Sequence, residues 1–468
     1  MSAPRNVLVI GAGPAGYVCA IRLAQLGQKV TVIERGPLGG TCLNVGCIPS
    51  KALIAAGSLV DKLGHAGEMG ISAENVRIDV AKLVAWKQGI VNKLTSGVGG
   101  LLRNHKVEVV TGSASFVDRN TLSVKTADGT KTLKADDIVI ATGSVPIAIP
   151  GFAFDEQDVW SSTGALAPTR LPKHLVVIGG GYIGLELGMM YRKLGSAVTV
   201  LEATPGALPG QDRDCVKVIE RSMKKHGIKF HVETKALGYE RKGAELHVSI
   251  ETKSGKQTVV CDQIASTVGR KPFSDGLALD KAGLKTDAKG FLAVDKKMRT
   301  SVANIYAVGD IAGQPMLAHK GSKEGLVAAA VIAGLNEEYD VRCVPAVIFT
   351  APEMASVGAQ ESELTAKGIA FKSGSFPFAA SGRAMSLMET EGFVKILTDA
   401  ATDEILGVHM VGPEVTELVA EAALAIEMGA TSEDLARTIH AHPTLPEALM
   451  EAAEAVHGMA VHIFQAKK

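Results

Sequence analysis

The chain has 468 residues, and its 49 lysines and arginines are balanced by 49 aspartates and glutamates. This length allows about three domains, each with a core of its own. A net charge of zero gives no field that would favour nucleic acid or an anionic membrane. No uncharged apolar run reaches the length of a membrane span, and the first residues lead directly into a strand pattern, which leaves no room for a signal peptide. We therefore expect a cytoplasmic protein.

Two copies of one long pattern occur in the chain. The first is NVLVIGAGPAGYVCAIRLAQLGQKVTVIER and the second is HLVVIGGGYIGLELGMMYRKLGSAVTVLEA. Each copy predicts a strand, a G-x-G-x-x-G turn, a helix and a second strand that ends in glutamate. The motif residues are Gly11, Gly13, Gly16 and Glu34 in the first copy and Gly179, Gly181, Gly184 and Glu202 in the second.

The pattern is typical of dinucleotide-binding sites. The first glycine allows a tight turn, the second lets the backbone approach a pyrophosphate, and the third lets the helix pack on the strand. The phosphates then lie at the helix N-terminus, where free N–H groups favour anions. A single G-x-G-x-x-G is a weak signal, but two copies with strand, helix and glutamate in register predict two dinucleotide sites.

The glutamate of the second copy indicates which nicotinamide nucleotide is bound. A carboxylate at Glu202 suits the free 2′-hydroxyl of NAD and would repel the 2′-phosphate of NADP, and the next arginine in the sequence is Arg213. The segments Ala141-Thr142-Gly143 and Val268-Gly269-Arg270 follow the two copies in order, each after a predicted strand. Taken alone, they could be ordinary strand exits.

Two cysteines, Cys42 and Cys47, follow the first copy in the run GGTCLNVGCIPSKAL. A disulfide that closes so short a loop would stabilise the fold only weakly. Six cysteines in 468 residues do not describe a disulfide-stabilised extracellular fold. A close pair beside a nucleotide site therefore predicts a redox couple that opens and closes during turnover.

The pair and the two nucleotide sites together predict a flavin. Nicotinamide delivers a hydride, whereas a disulfide is opened by thiolate attack, and a flavin can exchange electrons with both. Because the cysteines follow the first copy, we expect FAD in the first site and NAD in the second. No metal site is predicted.

Five segments carry a resemblance to a known family: GAGPAG, GGTCLNVGCIPSK, GGGYIG, YAVGD and HAHPTLPE. Together they resemble the pyridine nucleotide–disulfide oxidoreductases, and in detail the members that act on lipoyl groups, from Val7 to about Gly458. The resemblance implies an α/β fold with two Rossmann-like dinucleotide-binding domains, for FAD and NAD, and a C-terminal α+β dimerisation domain. The implied boundaries are 1–149 for the FAD domain, 150–272 for the NAD domain, 273–344 for a central domain that returns to the flavin, and 345–468 for the dimerisation domain.

The resemblance implies unequal roles for the two sulfurs. Cys47 would lie against the flavin as the charge-transfer thiolate, and Cys42 would exchange with the substrate. Lys51 would lie near the reactive flavin nitrogen, paired with Glu186. The further implied cofactor contacts are Thr41, Thr142, Gly143, Gly269, Asp310 and Ala318. Without the resemblance, Lys51 could be a solvated lysine, Glu186 a first-turn helix glutamate and Asp310 a turn aspartate.

The segment IHAHPTLPEALMEAAEAVHG implies the acid–base group. Thiol oxidation needs a base, and histidine titrates in the right range. By resemblance His442 is that base and Glu447 orients its imidazole, as in a catalytic triad. Two alternatives stay open: the run Thr444-Leu-Pro-Glu447 also reads as a capping box for the next helix, and His440 could compete with His442. The helix predicted for residues 416–428 has an apolar stripe that suits either a subunit interface or the domain core.

The implied reaction is the oxidation of protein-bound dihydrolipoamide to lipoamide with reduction of NAD⁺. The implied partners are a second copy of the chain, with His442 reaching the disulfide across the dimer interface, and a lipoyl-bearing chain. The latter is the acyltransferase component of a 2-oxo-acid dehydrogenase complex or the lipoyl carrier protein of glycine cleavage. The alternatives are a glutathione-type or mercuric reductase, or a flavin and disulfide sensor without turnover. Mercuric reductases carry a C-terminal cysteine pair, whereas this chain has no cysteine after Cys343.

Overall fold

The computed structural model describes residues 4–465. The first unit of the fold begins with the first glycine-rich copy and contains eight strands and four helices. They are β1 Asn6–Ile10, α1 Pro14–Gln25, β2 Lys29–Glu34, α2 Gly40–Val45, α3 Cys47–His65, α4 Val80–Asn104, β3 Glu108–Thr111, β4 Ser113–Asp118, β5 Thr121–Thr126, β6 Gly129–Lys134, β7 Asp137–Ile140 and β8 Ser144–Pro146.

The second unit contains nine strands and two helices. They are β9 Val159–Trp160, β10 His174–Ile178, α5 Tyr182–Lys193, β11 Ala197–Leu201, α6 Arg213–Lys225, β12 Lys229–His231, β13 Lys235–Lys242, β14 Glu245–Thr252, β15 Gly255–Cys261, β16 Gln263–Ser266 and β17 Arg270–Pro272. Strand β18 (Ile305–Ala307) and helix α7 (Ala318–Ile332) follow.

The two units repeat one topology. The first parallel sheet has the order β3-β2-β1-β7-β18, and the second has the corresponding order β12-β11-β10-β16-β9. In each unit the chain forms a three-stranded antiparallel sheet, β4–β6 or β13–β15, between the first and fourth strands of that order, β3 and β7 or β12 and β16. The sequence repeat therefore extends to the whole unit, and the predicted α/β fold with two Rossmann-like domains is confirmed.

Burial on both faces explains why the central strands read as unbroken apolar runs. On β1, Val7 and Val9 pack in the core that contains the buried faces of α1 and α7, whereas Leu8 and Ile10 pack in the core beneath β4–β6. All four side chains are at most 5% exposed. The carboxyl end of β1 therefore leads into the glycine turn from a fixed position.

The first unit is completed by chain that follows the second unit. Strand β18 pairs in parallel with β7, and α7 packs against α1. Strand β8 follows β7 in the chain, and β17 follows β16. These two short strands pair with each other in antiparallel orientation. These connections bring the carboxyl ends of β7 and β16 to one place.

The third unit is an antiparallel sheet with the order β19-β20-β23-β22-β21, covered by helices. Its elements are β19 Ala346–Ile348, β20 Glu353–Gly358, α8 Glu361–Ala366, β21 Phe371–Pro377, α9 Gly382–Leu387, β22 Phe393–Asp399, β23 Ile405–Gly412, α10 Val415–Met428, α11 Ser432–Arg437 and α12 Glu447–Val456. The predicted apolar stripe of α10 is part of this unit's core, which contains Leu418, Ala422 and Ile426.

The stretch Gly40–Met69 is, among residues 4–465, the one helical run long and apolar enough to cross a membrane by length and composition. It is not one uninterrupted helix, because α2 and α3 meet at Gly46. It also contains Lys51 and Asp61, both in ion pairs with the second unit, so it is not an uncharged apolar run. A single such stretch is weak evidence for a membrane span.

Candidate active site

The glycine turns of the two copies have the same geometry. Gly11 and Gly179 have φ values of 103° and 108°, in the left-handed region that favours glycine. A Cβ at Gly11 would lie 2.4 Å from the Ala141 carbonyl oxygen, and one at Gly179 would lie 2.8 Å from that of Thr267. Both clashes are with backbone at the end of the fourth strand, so each turn is pressed against the neighbouring strand of its sheet.

The middle glycines leave room for a ligand. Gly13 and Gly181 are the N-caps of α1 and α5 and have extended backbones. A Cβ at Gly181 would meet no atom within 4 Å, and one at Gly13 would meet only Gly40, at 3.9 Å. Two 12-residue helices thus present uncapped N-termini at open surface, an arrangement that fits a pyrophosphate.

The strand-end glutamates bind the turns in the same way in both copies. One carboxylate oxygen of Glu34 accepts the N–H of Ala12 (2.7 Å), and one of Glu202 accepts that of Gly180 (2.6 Å). The second oxygen of each accepts an N–H two residues further along the chain. The expected contact of each glutamate with an adenosine ribose stays a prediction.

Arg213 lies closer to the second nucleotide turn than its place in the sequence suggests. Its guanidinium donates to the carbonyl of Ala207 (3.1 Å) and lies 3.6 Å from a carboxylate oxygen of Glu220. The Arg213 side chain therefore packs on the loop that follows Glu202, where the Ala207 carbonyl and the Glu220 carboxylate bind its guanidinium.

The cysteine pair lies against the first glycine turn. The N–H of Gly39, the N-cap of α2, donates to the carbonyl of Ala12 (2.8 Å). Cys42 lies in α2, and Cys47 is the first residue of the 19-residue helix α3. The chain that carries the two sulfurs is thereby fixed to the predicted pyrophosphate turn.

The two thiols are both free and have different acidities. Interaction with the Cys42 thiol, supported by the nearby charge of Lys51, lowers the pKa of Cys47 to about 7, although desolvation opposes the shift. The same interaction, together with burial, raises the pKa of Cys42. A place at a helix N-terminus also favours a thiolate. Cys47 is therefore the more acidic thiol of the pair.

Lys51 brings the three units together. Its ammonium lies 2.8 Å from Oε2 of Glu186, a buried carboxylate on α5, and 4.5 Å from the ring centre of Phe349. Glu186 Oε1 accepts the Phe349 N–H (2.9 Å). The expected pairing of Lys51 with Glu186 is thus present. Glu186 is the fifth residue of α5 and not a first-turn residue.

Asp310 is linked to both nucleotide units. The Ser144 hydroxyl donates to the Asp310 carboxylate, and the Arg270 guanidinium donates to the Ser144 hydroxyl (2.8 Å) and carbonyl (2.7 Å). Asp310 is therefore held by a chain of contacts and is not an isolated turn aspartate. Sequence reasoning named neither Ser144 nor Arg270 as a site residue. The available signal was that Arg270 directly follows the predicted strand exit at Gly269.

The remaining predicted contacts lie at ends of secondary-structure elements. Gly143 and Gly269 directly precede the paired strands β8 and β17. The Thr142 hydroxyl donates to the Phe273 carbonyl (2.6 Å) and so joins β7 to the chain after β17. Ala318 is the first residue of α7, and Thr41 is an exposed residue of α2 beside Cys42.

His442 and Glu447 form a dyad in the third unit. His442 Nδ1 lies 2.8 Å from Glu447 Oε1, and the imidazole side chain is 80% exposed. Burial alone would raise the pKa of Glu447, but the Thr444 N–H and His442 outweigh it and keep this pKa below its ordinary value. An ionised carboxylate on Nδ1 favours the N–H tautomer at that atom and leaves Nε2 free to accept a proton.

The predicted capping box is only half present. Glu447 Oε2 accepts the Thr444 N–H (2.6 Å), but the Thr444 hydroxyl donates to the Ala441 carbonyl instead of capping α12. Helix α12 begins at Glu447 with Pro446 as its N-cap and has no side-chain cap. The two oxygens of Glu447 can therefore serve the backbone and His442 at once.

His440 has a structural environment. Its side chain is 5% exposed, and Nε2 lies 2.8 Å from Glu421 while Nδ1 lies 2.8 Å from the Thr438 carbonyl. Both ring nitrogens are thus engaged inside the third unit. His440 is therefore held as a structural histidine, and His442 is left as the exposed base candidate.

Comparison with known proteins agrees with this arrangement of two nucleotide turns around a cysteine pair. Residues 5–325 match the family described as pyridine nucleotide-disulphide oxidoreductase, and residues 344–453 match the dimerisation domain of that family. The chain belongs to the pyridine nucleotide–disulphide oxidoreductase family, whose members use FAD and NAD. The predicted family is confirmed.

Curated proteins similar to the chain include several dihydrolipoyl dehydrogenases. The chain is 48% identical over 459 residues to dihydrolipoyl dehydrogenase of Bacillus subtilis, with 98% of this chain and 97% of the relative covered. It is 50% identical over 461 residues to that of Thermus scotoductus, with 98% of each covered. Among solved structures it is similar to LpdA from Mycobacterium tuberculosis, with a TM-score of 0.90 and 29% identity over 96% of this chain and 99% of that one.

Proposed function

We propose that this protein is a dihydrolipoyl dehydrogenase, which oxidises protein-bound dihydrolipoamide to lipoamide and reduces NAD⁺ to NADH. One observation carries the proposal: the Cys42–Cys47 pair, with Cys47 as the more acidic thiol, lies between the first glycine turn and the Lys51–Glu186 pair. The similarity to curated dihydrolipoyl dehydrogenases over nearly the whole chain supports the choice of substrate.

FAD would be held by the first unit and NAD by the second. The residues of each unit fit a dinucleotide: each unit has an uncapped helix N-terminus, an open middle glycine and a strand-end carboxylate. Residues Thr41, Lys51, Thr142, Gly143, Asp310 and Ala318 would complete the FAD site. When bound, FAD supplies two-electron chemistry that links a dithiol to NAD⁺. The carboxylate of Glu202 supports NAD over NADP.

Proton removal from the substrate falls to His442. Glu447 holds Nδ1, so Nε2 is the atom that accepts the proton of a dihydrolipoamide thiol. The exposed imidazole can reach a substrate in solution or in a cleft between two chains. Glu447 acts as a positioning residue because its second oxygen is fixed to the Thr444 backbone.

Disulfide exchange then passes two electrons to the protein. The substrate thiolate attacks Cys42 Sγ of the oxidised pair, the Cys42–Cys47 bond breaks, and Cys47 leaves as a thiolate. The second thiol of the same substrate molecule then loses its proton and attacks the substrate sulfur that is bonded to Cys42. This closes the lipoamide disulfide and releases Cys42 as a thiolate. The protein is reduced by two electrons and the substrate is oxidised by two. A pKa of about 7 for Cys47 suits it to be the leaving sulfur.

The protein would act as a homodimer in which His442 of one chain serves the cysteines of the other. The family match to a dimerisation domain supports the dimer. The third unit also exposes large apolar side chains, Leu424, Met428, Ile439, Val461 and Phe464. Such surface commonly marks a protein interface.

The partner of the dimer would be a lipoyl-bearing chain, either the acyltransferase component of a 2-oxo-acid dehydrogenase complex or the lipoyl carrier protein of glycine cleavage. We propose a cytoplasmic location for the protein, as expected from its sequence. We retain the four domains 1–149, 150–272, 273–344 and 345–468 as the organisation that serves this function.

Steady-state kinetics test the proposal. Purified protein would be assayed with free dihydrolipoamide and NAD⁺, with the same dithiol and NADP⁺, and in reverse with glutathione disulfide or mercuric ion as acceptor. We expect the highest kcat/KM with dihydrolipoamide and NAD⁺. Higher kcat/KM for glutathione disulfide or mercuric ion would favour the other reductases, and binding of FAD without turnover of any acceptor would favour a sensor.

A further inference from the structure

A buried ion pair on α7 contacts both ends of the turn that carries Asp310. Lys320 and Glu324 lie one helical turn apart, with 2.7 Å between Nζ and Oε1, and their side chains are only 7% and 5% exposed. Glu324 Oε2 accepts the Gly309 N–H (2.7 Å), and Lys320 Nζ donates to the Gly313 carbonyl (3.1 Å). Lys320 and Glu324 therefore each make one contact with the other and one with the backbone of the turn.

We propose that Lys320 and Glu324 are positioning residues that fix the 309–313 turn and thereby place the Asp310 carboxylate for FAD. This inference rests on the proposed function, because it takes FAD as the ligand of the first unit. Asp310 follows the first fixed residue of the turn directly, and its carboxylate accepts from Ser144. A shift of the Gly309 backbone would move Asp310 with it.

Burial makes the hydrogen bond from the Gly309 N–H to Glu324 costly to lose. A backbone N–H that lies in the core and loses its acceptor pays its full desolvation cost, so the turn would rearrange to recover a partner. Burial also makes the ion pair costly unless both charges are satisfied, and burial raises the pKa of Glu324. The backbone contacts of the pair supply the additional hydrogen bonds that such a pair needs.

The test compares two double variants that differ in one acceptor. Lys320→Met/Glu324→Gln removes both charges but keeps an amide oxygen for the Gly309 N–H, whereas Lys320→Met/Glu324→Leu removes the acceptor with similar volume. The rate of FAD release from diluted holoenzyme and the midpoint potential of the bound FAD would be measured for both. The control is Lys323→Met on the same helix, since the Lys323 side chain is 41% exposed and pairs with Glu337 instead of the turn.

We expect FAD release about ten-fold faster from the Leu variant than from the Gln variant, as for loss of one buried hydrogen-bond acceptor. We also expect a shifted flavin potential in the Leu variant alone, and wild-type values in the control. Equal release rates and potentials in the two double variants would overturn the proposal, whether both resemble wild type or both are impaired.

A second comparison covers failure of the Leu variant to fold. Glu324→Asp keeps a charge opposite Lys320 but is one methylene too short to reach the Gly309 N–H. FAD release faster than from Glu324→Gln supports the positioning role, and equal rates contradict it. The proposed function fails separately, in the wild-type protein, if that protein binds no FAD.

Discussion

Glu447 contacts His442 with one carboxylate oxygen and the backbone N–H of Thr444 with the other. The carboxylate is thereby fixed at the N-terminus of α12, with its Oε1 oxygen facing the imidazole. The two contacts that seemed to compete in the sequence, with the Thr444 backbone and with the His442 imidazole, are made by different oxygens of one carboxylate.

The first prediction concerns His442 as the base. His442→Gln should slow the reduction of the protein by dihydrolipoamide by about 10²- to 10⁴-fold, the range for loss of a general base. Oxidation of NADH with an artificial electron acceptor should change far less, because that half-reaction needs no thiol deprotonation. Stopped-flow measurement of the first and steady-state measurement of the second separate the two effects.

His440→Gln is the matched control for this prediction. It lies two residues away and is held inside the third unit by Glu421 and the Thr438 carbonyl. We expect it to change thermal stability more than the thiol half-reaction. Equal losses of both half-reactions in His442→Gln, or a larger thiol defect in His440→Gln, would contradict the assignment of the base.

The second prediction concerns the inequality of the two sulfurs. Cys47→Ser should abolish the long-wavelength absorption band that we expect when the protein is reduced by dihydrolipoamide without oxygen, because serine supplies no thiolate beside the flavin. FAD should remain bound. Cys42→Ser should keep a Cys47 thiolate and so retain the band. Cys343→Ser, a control at a cysteine that packs against the core of the third unit, should leave spectrum and activity unchanged. A band that survives Cys47→Ser would assign the thiolate elsewhere.

The sequence allowed prediction of those parts of the fold that depend on local pattern. Each copy of strand, glycine turn, helix and glutamate formed as predicted, because its apolar period and its glycines act within about thirty residues. The fifth strand of each parallel sheet was not predicted. Strands β18 and β9 have three and two residues and are defined by pairing with β7 and β16, which no local pattern encodes.

The same limit applies to the site. Motif residues such as Lys51 and Asp310 could be named from the sequence, but their partners depend on tertiary structure. The acceptor for the Phe349 N–H is Glu186, from a different unit, and the link from Arg270 through Ser144 to Asp310 joins three distant segments. These contacts arise where chain ends of separate sheets converge, so only the assembled fold shows them.

The third prediction concerns the Lys51–Glu186 pair. Lys51→Met would leave the buried Glu186 carboxylate without its charged partner, and we expect a loss of about 3 kcal/mol in the free energy of unfolding. Lys51→Met/Glu186→Gln should recover much of this loss, since the amide oxygen can still accept the Phe349 N–H. Denaturant unfolding of the single and double variants measures both effects. A double variant no more stable than Lys51→Met would show that the charge on Glu186 is not the cause.

The fourth prediction concerns a charge cluster at the opposite end of α3. The carboxylate of Asp61 lies 3.3 Å from Lys193 Nζ and 3.7 Å from His226 Nε2. The contact with His226, followed by that with Lys193, outweighs burial and lowers the pKa of Asp61 to about 2. In return, the contact with Asp61 raises the pKa of His226. The cluster joins α3, the helix that begins at Cys47, to the second unit.

The pH dependence of stability follows from these two shifts. The contribution of Asp61 is present above its unfolded pKa of about 3.9 and is lost as pH falls through about 2. The contribution of His226 is complete below its unfolded pKa of about 6.5 and is lost as pH rises through its higher folded value. A double-mutant cycle of Asp61→Asn and His226→Gln should therefore give a coupling energy of about 1 kcal/mol at pH 5.5. We expect this coupling to shrink by pH 9, because the neutral imidazole no longer attracts the carboxylate. A coupling energy that is equal at both pH values would show that the contact is a hydrogen bond independent of charge.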